Sequence, residues 1–151
     1  MIESDKYLIL PPTELRKLIA EKRQFGSLEA LCIDLCGGVS TAGRMLHRLL
    51  GWWMKTRHTE GWVYKDYGDW FRELRISQKE LTKANAALGL AGVEVKLLKG
   101  RLDCPRKHYR LLLTGFVKAL ARVLGLGVEW LKNFCTPFAK STTPEAPNRV
   151  S

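Results

Sequence analysis

Cysteine, histidine and carboxylate are scarce in this chain, and no long apolar run occurs in it. There are four cysteines and three histidines in 151 residues, and no apolar stretch approaches the roughly 20 residues that a membrane-spanning helix needs. The N-terminal run MIESDKYLILPPTELRK places acidic residues ahead of a short apolar patch, unlike a secretory signal. The expectation is a cytoplasmic protein with no membrane partner. Cys32, Cys36, Cys104 and Cys135 then read as reduced thiols rather than a disulfide framework. Cys32 and Cys36 would stack on one helical face with His47 and His58 downstream, but no second closely spaced pair of ligands completes a zinc site. Buried apolar thiols are expected, with no metal and no cofactor.

The shortage of acid matters more. Asp and Glu total 15 against 25 Lys and Arg, a formal net charge of +10 with a pI near 9.7. That imbalance is the footprint of a protein that meets phosphates or an acidic partner. Catalytic signatures are missing as well. The chain has no phosphate-binding glycine loop, no paired metal-ligand motif and no nucleophile with a recognisable companion, and the glycines of ALGLAG sit in a turn context. A non-enzymatic protein is expected.

What the chain does contain is helix periodicity, punctuated by caps. KYLILPP reads as an extended arm, and TELRKLIAEKR as a helix capped by Thr13 with Leu15, Leu18 and Ile19 in one stripe. SLEALCIDLCGG gives a second helix ending at Gly37 and Gly38. Ser40 is placed to cap a third, with Met45, Leu46, Leu49, Leu50, Trp52 and Trp53 as a broad apolar face. After the turn HTEG, Trp62-Val63-Tyr64 reads as a short strand and DYGDWFRELR as a helix with Trp70, Phe71 and Leu74 inward. Ser77 followed by Glu80 is a capping box that opens a new helix at Gln78 after a very tight turn, a helix-turn-helix arrangement. VEVKLL and KHYRLLL alternate as strands around the basic segment KGRLDCPR, a hairpin.

The order helix, strand, helix, turn, helix, hairpin is that of a winged helix. From about Ser40 to Leu112, LHRLLGWWMK, EGWVYKDYGDWFRELRIS, QKELTKANAALGLAGVEVKLL and RKHYRLL resemble the winged-helix domains of phage and plasmid replication proteins and related regulators. The match spans roughly half the chain and departs from the family in GLAGVEV, where an extra residue precedes the strand. The expected fold class is mainly α with a small β-hairpin wing (α+β), a winged helix-turn-helix with extra N- and C-terminal helices. Its expected parts are 1–39 as N-terminal arm and helices, 40–113 as the winged-helix domain, 114–134 as C-terminal helices and 135–151 as a disordered tail, for CTPFAKSTTPEAPNRVS lacks core-forming residues.

The resemblance implies a double-stranded DNA-binding protein of a mobile element, acting as a replication-associated factor or transcriptional regulator within a larger nucleoprotein complex. The residues fit such chemistry. With Leu81, Ala84 and Leu88 inward, the helix from Gln78 turns Gln78, Lys79, Thr82, Lys83, Asn85 and Ala86 outward, a small, amide-bearing and basic face suited to a major groove. Lys96, Lys99, Arg101, Arg106 and Lys107 supply the hairpin with cations for phosphates, and Tyr64 and Lys65 at the end of the first strand are candidate backbone contacts. The other aromatics of this region are expected in the core. In TGFVKALARVLGLGVEWLKNF, the apolar set including Leu120, Leu124, Trp130 and Leu131 either folds back on the N-terminal helices or pairs two copies as a homodimer. The rival reading is a non-catalytic subunit or inhibitor that docks on a nucleic-acid-processing complex through the same scaffold.

Overall fold

The computed structural model describes residues 7–22, 26–56, 60–99 and 105–141. The N-terminal arm is extended, with the Leu8 amide donating to the Leu111 carbonyl at 2.7 Å and Tyr7 bridging Leu112. The first helix, α1 (Pro12–Lys22), starts one residue before the expected Thr13 cap. Pro12 takes the opening helical turn, where a missing amide hydrogen costs nothing. Ser27 caps α2 (Leu28–Leu35) by accepting from the Ala30 amide. Ser40 is not a cap. It is already helical in α3 (Ser40–Trp53), and Val39 occupies the cap position without a side-chain bond.

α3 is the central helix, with Ala42, Met45, Leu46, Leu49, Leu50 and Trp53 buried, whereas Trp52 of the expected apolar face remains 40% exposed. Its Gly43 lets α2 approach closely, since a Cβ there would lie 2.4 Å from the Ile33 backbone. The next elements are β1 (Val63–Tyr64), α4 (Tyr67–Leu74) and α5 (Gln78–Leu88). Two reciprocal capping boxes set the helix starts, Asp66 with Asp69 for α4 and Ser77 with Glu80 for α5. Between them Arg75 turns the chain at φ 57°. Trp70 is buried, but Phe71 is 43% exposed beneath the Arg75 guanidinium, against the expectation that it points inward. Ile76, in the turn, is buried in its place.

A 3-10 turn, Gly89–Ala91, leads into β2 (Val93–Lys99), which pairs antiparallel with β3 (Pro105–Leu111). Gly92 has φ 89°, and a Cβ on it would lie 2.3 Å from the Phe116 nitrogen, so the start of β2 lies directly on α6 (Leu113–Leu124). The sheet order is β1-β3-β2, with Val63 opposite Tyr109 and Val95 on the other side of Tyr109. The architecture is mainly helical with a small three-stranded antiparallel sheet, an α+β arrangement.

The C-terminal helices fold back on the body. Phe116, Val117, Leu120, Leu124, Leu131 and Cys135 are buried, and Arg122 donates to the Leu35 carbonyl at 3.1 Å. α7 (Val128–Ser141) therefore runs past the boundary expected at Cys135. Leu131 and Cys135 are one helical turn apart, and their burial continues the stripe that the composition of the segment conceals. The rest of the expected tail, 142–151, lies outside the described residues, and among those described no helix is long and apolar enough to cross a membrane.

One side chain ties the layers together. Tyr109 is fully buried; its hydroxyl donates to Asn85 Oδ1 at 2.9 Å and accepts from Trp70 Nε1 at 3.2 Å, while its carbonyl accepts from Trp53 Nε1 at 3.0 Å. Strand β3 is thus bonded to α3, α4 and α5 at one residue. Replacing Tyr109 with Phe strands the Asn85 oxygen and the Trp70 N–H, each left without its bond in a desolvated place. The expected destabilisation is about 1–3 kcal/mol in urea unfolding. Adding Asn85→Leu should cost less in that background than it does alone.

Candidate nucleic-acid interface

Helix α5 and the β2–β3 hairpin enclose an open cleft of about 590 Å³. Gln78, Leu81 and Thr82 of α5 form one wall, Leu97, Arg106, Lys107 and Tyr109 the other, and Tyr64, Lys65, Asp66 and Tyr67 close one end. On α5 the inward set is Leu81, Ala84, Ala87 and Leu88, and Gln78, Lys79, Thr82, Lys83 and Ala86 are exposed as expected. Lys79 and Lys83 are one turn apart and share a face. Thr82 Oγ1 bonds back to the Gln78 carbonyl at 3.3 Å, which occupies its hydrogen.

Asn85 does not belong to that outer face. It is half-buried, its Oδ1 is taken by Tyr109, and its Nδ2 has no partner among the described residues. Bidentate reading of adenine requires both amide atoms, so Asn85 serves the α5–sheet joint instead.

Lys65 is a second correction. It is 4% exposed, its Nζ donates to Glu73 Oε1 at 2.6 Å, and it lies 4.6 Å from the Trp52 ring centroid and 5.3 Å from that of Trp70. Arg48 Nε reaches the same Glu73 oxygen at 2.8 Å. Burial pulls the Glu73 carboxyl up, but the hydrogen bonds from Lys65 and Arg48 outweigh it and hold the group below its ordinary range. The alternation of strand residues carried this signal: Lys65 shares the inward face of β1 with Val63, and Tyr64 lies on the other.

Tyr64 is half-exposed. Its hydroxyl donates to Asp66 Oδ2 at 2.7 Å and accepts from Arg106 Nη1 at 2.8 Å, and the Arg106 guanidinium stacks 5.0 Å from its ring centroid. On the hairpin Lys96 and Lys107 are exposed and Arg106 is half-buried. Lys96 and Lys107 project from opposite faces, since Lys96 pairs with His108 and Lys107 with Leu97. The side chain of Lys99 and all of Arg101 lie outside the described residues. Tyr67 and Leu97 also line the cleft, and sequence reasoning missed both; they are apolar bodies that pattern reading assigns to a core, yet Leu97 is 62% exposed.

The thiols are remote from this surface. Cys32, Cys36 and Cys135 are buried; burial pushes Cys36 and Cys135 up to about 12 and Cys32 higher still, so all three are protonated at neutral pH. Cys104 lies outside the described residues. Comparison with family models, with curated proteins and with solved structures finds no match to the chain.

The pair with Glu73 makes Lys65 a structural cation. Lys65→Ala leaves Glu73, partly exposed, with Arg48 as its remaining cation, and a destabilisation of about 1–3 kcal/mol is expected in denaturant unfolding. Because the folded-state pKa of Glu73 is depressed, its contribution is present above the unfolded carboxylate value of about 4.3 and is lost as pH falls through the folded value. Lys65→Met should therefore flatten the acid limb of the stability curve.

Proposed function

We propose that the protein is a winged helix-turn-helix DNA-binding protein, laying α5 in the major groove of duplex DNA and setting the β2–β3 hairpin against the flanking backbone. The observation that carries this reading is the exposed face of Gln78, Lys79, Thr82, Lys83 and Ala86 on a helix whose start is fixed by a capping box and whose other side is bonded to the sheet. Such a face is small enough to enter a groove and offers an amide, a methyl and cations to base edges. Lys107 on the facing wall of the cleft and Lys96 on the opposite side of the hairpin bracket the phosphates. The assignment to replication or transcriptional control of a mobile element rests on the sequence resemblance alone. Pairing of two copies would fall to Val128 and Trp130, which stay exposed, because Leu120, Leu124 and Leu131 are committed to the core.

The test is a gel-shift titration on random-sequence duplex at several salt concentrations, followed by selection of a preferred site. Affinity should fall steeply with salt. Lys79→Ala with Lys83→Ala should erase the preference for the selected site while the fold is kept. Lys96→Ala with Lys107→Ala should instead weaken all sequences alike and reduce the salt slope by about 0.9 for each phosphate that is no longer neutralised. Duplex affinity that ignores salt, or that survives the α5 double variant intact, would remove this reading and leave the docking protein standing.

A further inference from the structure

The sheet has two faces, and the duplex reading uses Lys96 alone of the outer one and none of its aromatics. Val63, Tyr109, Leu111 and Val93 fill the inner face and are buried. On the outer face the register brings Tyr64, His108 and Lys96 into one row across the strands, and Arg110 and Glu94 into the next, beside Trp62. Arg106 and Leu98 follow toward the hairpin tip. All these side chains are half-exposed or exposed.

The rings and cations interleave. His108 lies 6.4 Å from Trp62 and 5.6 Å from Tyr64 between ring centroids, and its Nδ1 is bonded to the Arg106 carbonyl, which fixes its plane. Arg110 stacks 4.2 Å from the Trp62 centroid, Lys96 lies 6.0 Å from the same ring, and Arg106 covers Tyr64. Two carboxylates adjoin the face. Glu94 is engaged by Arg110 at 3.1 Å and only loosely by Lys96 at 3.9 Å, and Asp66 accepts from Tyr64. Arg106 reaches no carboxylate among the described ion pairs and is thus available to a phosphate, as is most of Lys96.

We propose that this outer face is a binding site for single-stranded nucleic acid, with bases stacking on Tyr64, His108 and Trp62 and the phosphates tracking along Lys96 and Arg106. Rings on adjacent strands of an open sheet, interspersed with guanidinium and ammonium groups, provide sequence-tolerant stacking together with charge neutralisation. A duplex hides the faces of its bases and would use only the cations; an acidic protein would leave the rings idle. The proposal stands apart from the groove reading of α5, whose residues lie on a different element.

The experiment titrates the full chain with thymidine and uridine oligomers of about 12 nucleotides, with an abasic strand of the same length, and with random duplex. Both base-bearing strands should bind, and the abasic strand should bind at least about ten-fold more weakly. Tyr64→Ala and His108→Ala should each reduce strand affinity by about ten-fold. Tyr64→Phe and His108→Phe should retain it, although each removes a hydrogen bond, so loss of fold and loss of stacking are told apart. The Lys79→Ala, Lys83→Ala protein should keep strand binding whether or not it binds duplex. Equal affinity for the abasic strand, displacement by polyglutamate as effective as by the oligomer, or unchanged binding in the alanine variants would overturn the proposal. Loss of strand binding alone would leave the duplex reading untouched, and loss of duplex binding alone would leave this one untouched.

Discussion

The buried hydroxyl of Tyr109 is the constraint on which the placement of the candidate surfaces depends. A phenol in a core must satisfy its hydrogen-bonding capacity, and here Trp70 on α4 and Asn85 on α5 do so. Because the Tyr109 carbonyl also accepts from Trp53, β3 is held to three helices through directional bonds rather than through packing alone. Apolar contact would tolerate a sliding helix; these bonds do not. The rotation of α5 about its axis follows, and with it the direction in which Lys79 and Lys83 point. Asn85 is therefore withdrawn from the outer face of α5 and fixes the angle at which its neighbours project.

Lys65 and Glu73 do comparable work at the end of β1. The ammonium lies between Trp52 and Trp70 and is neutralised by a carboxylate that Arg48 of α3 also holds. This pins the strand to α3 and α4 where only a short strand is available to do so. A basic protein must keep some of its cations from repelling one another, and burying one against a carboxylate removes it from the surface field. The pair carries no net charge, so the +10 of the chain resides on its other side chains.

Much of the fold was legible because its signals are local. The Ser77–Glu80 box, the Gly92 turn and the alternation of VEVKLL each specify geometry within a few residues, and the structure has all of them. The misplaced residues depend on distant partners. Phe71 follows Trp70 by one residue, a rotation of about 100° on a helix, so both cannot occupy one buried face. Lys65 reads as an exposed cation until α4 brings Glu73 back to it. Asn85 looks like a groove-facing amide until β3 supplies Tyr109, and α7 looks like a tail until the body receives Leu131 and Cys135. Of the candidate site, the α5 lysines and the exposed hairpin cations were visible, and the cleft between them was not.

Division of labour between the two faces of the sheet follows from the pleat. Alternation turns Lys107, Tyr109 and Leu111 of β3 to one side, where Tyr109 and Leu111 enter the core and Lys107 lines the cleft, and leaves Arg106, His108 and Arg110 on the other. The outer face needs no packing partner to be stable, because its cross-strand aromatic and guanidinium contacts already order it. An inner face that orients α5 and an outer face that is ordered but uncovered by the helices described are thus produced by the same strands. The α5 face and the outer face of the sheet share a frame and meet at Tyr64, Arg106 and Lys96, and substitutions on α5 should leave the geometry of the outer face intact as long as Tyr109 is kept.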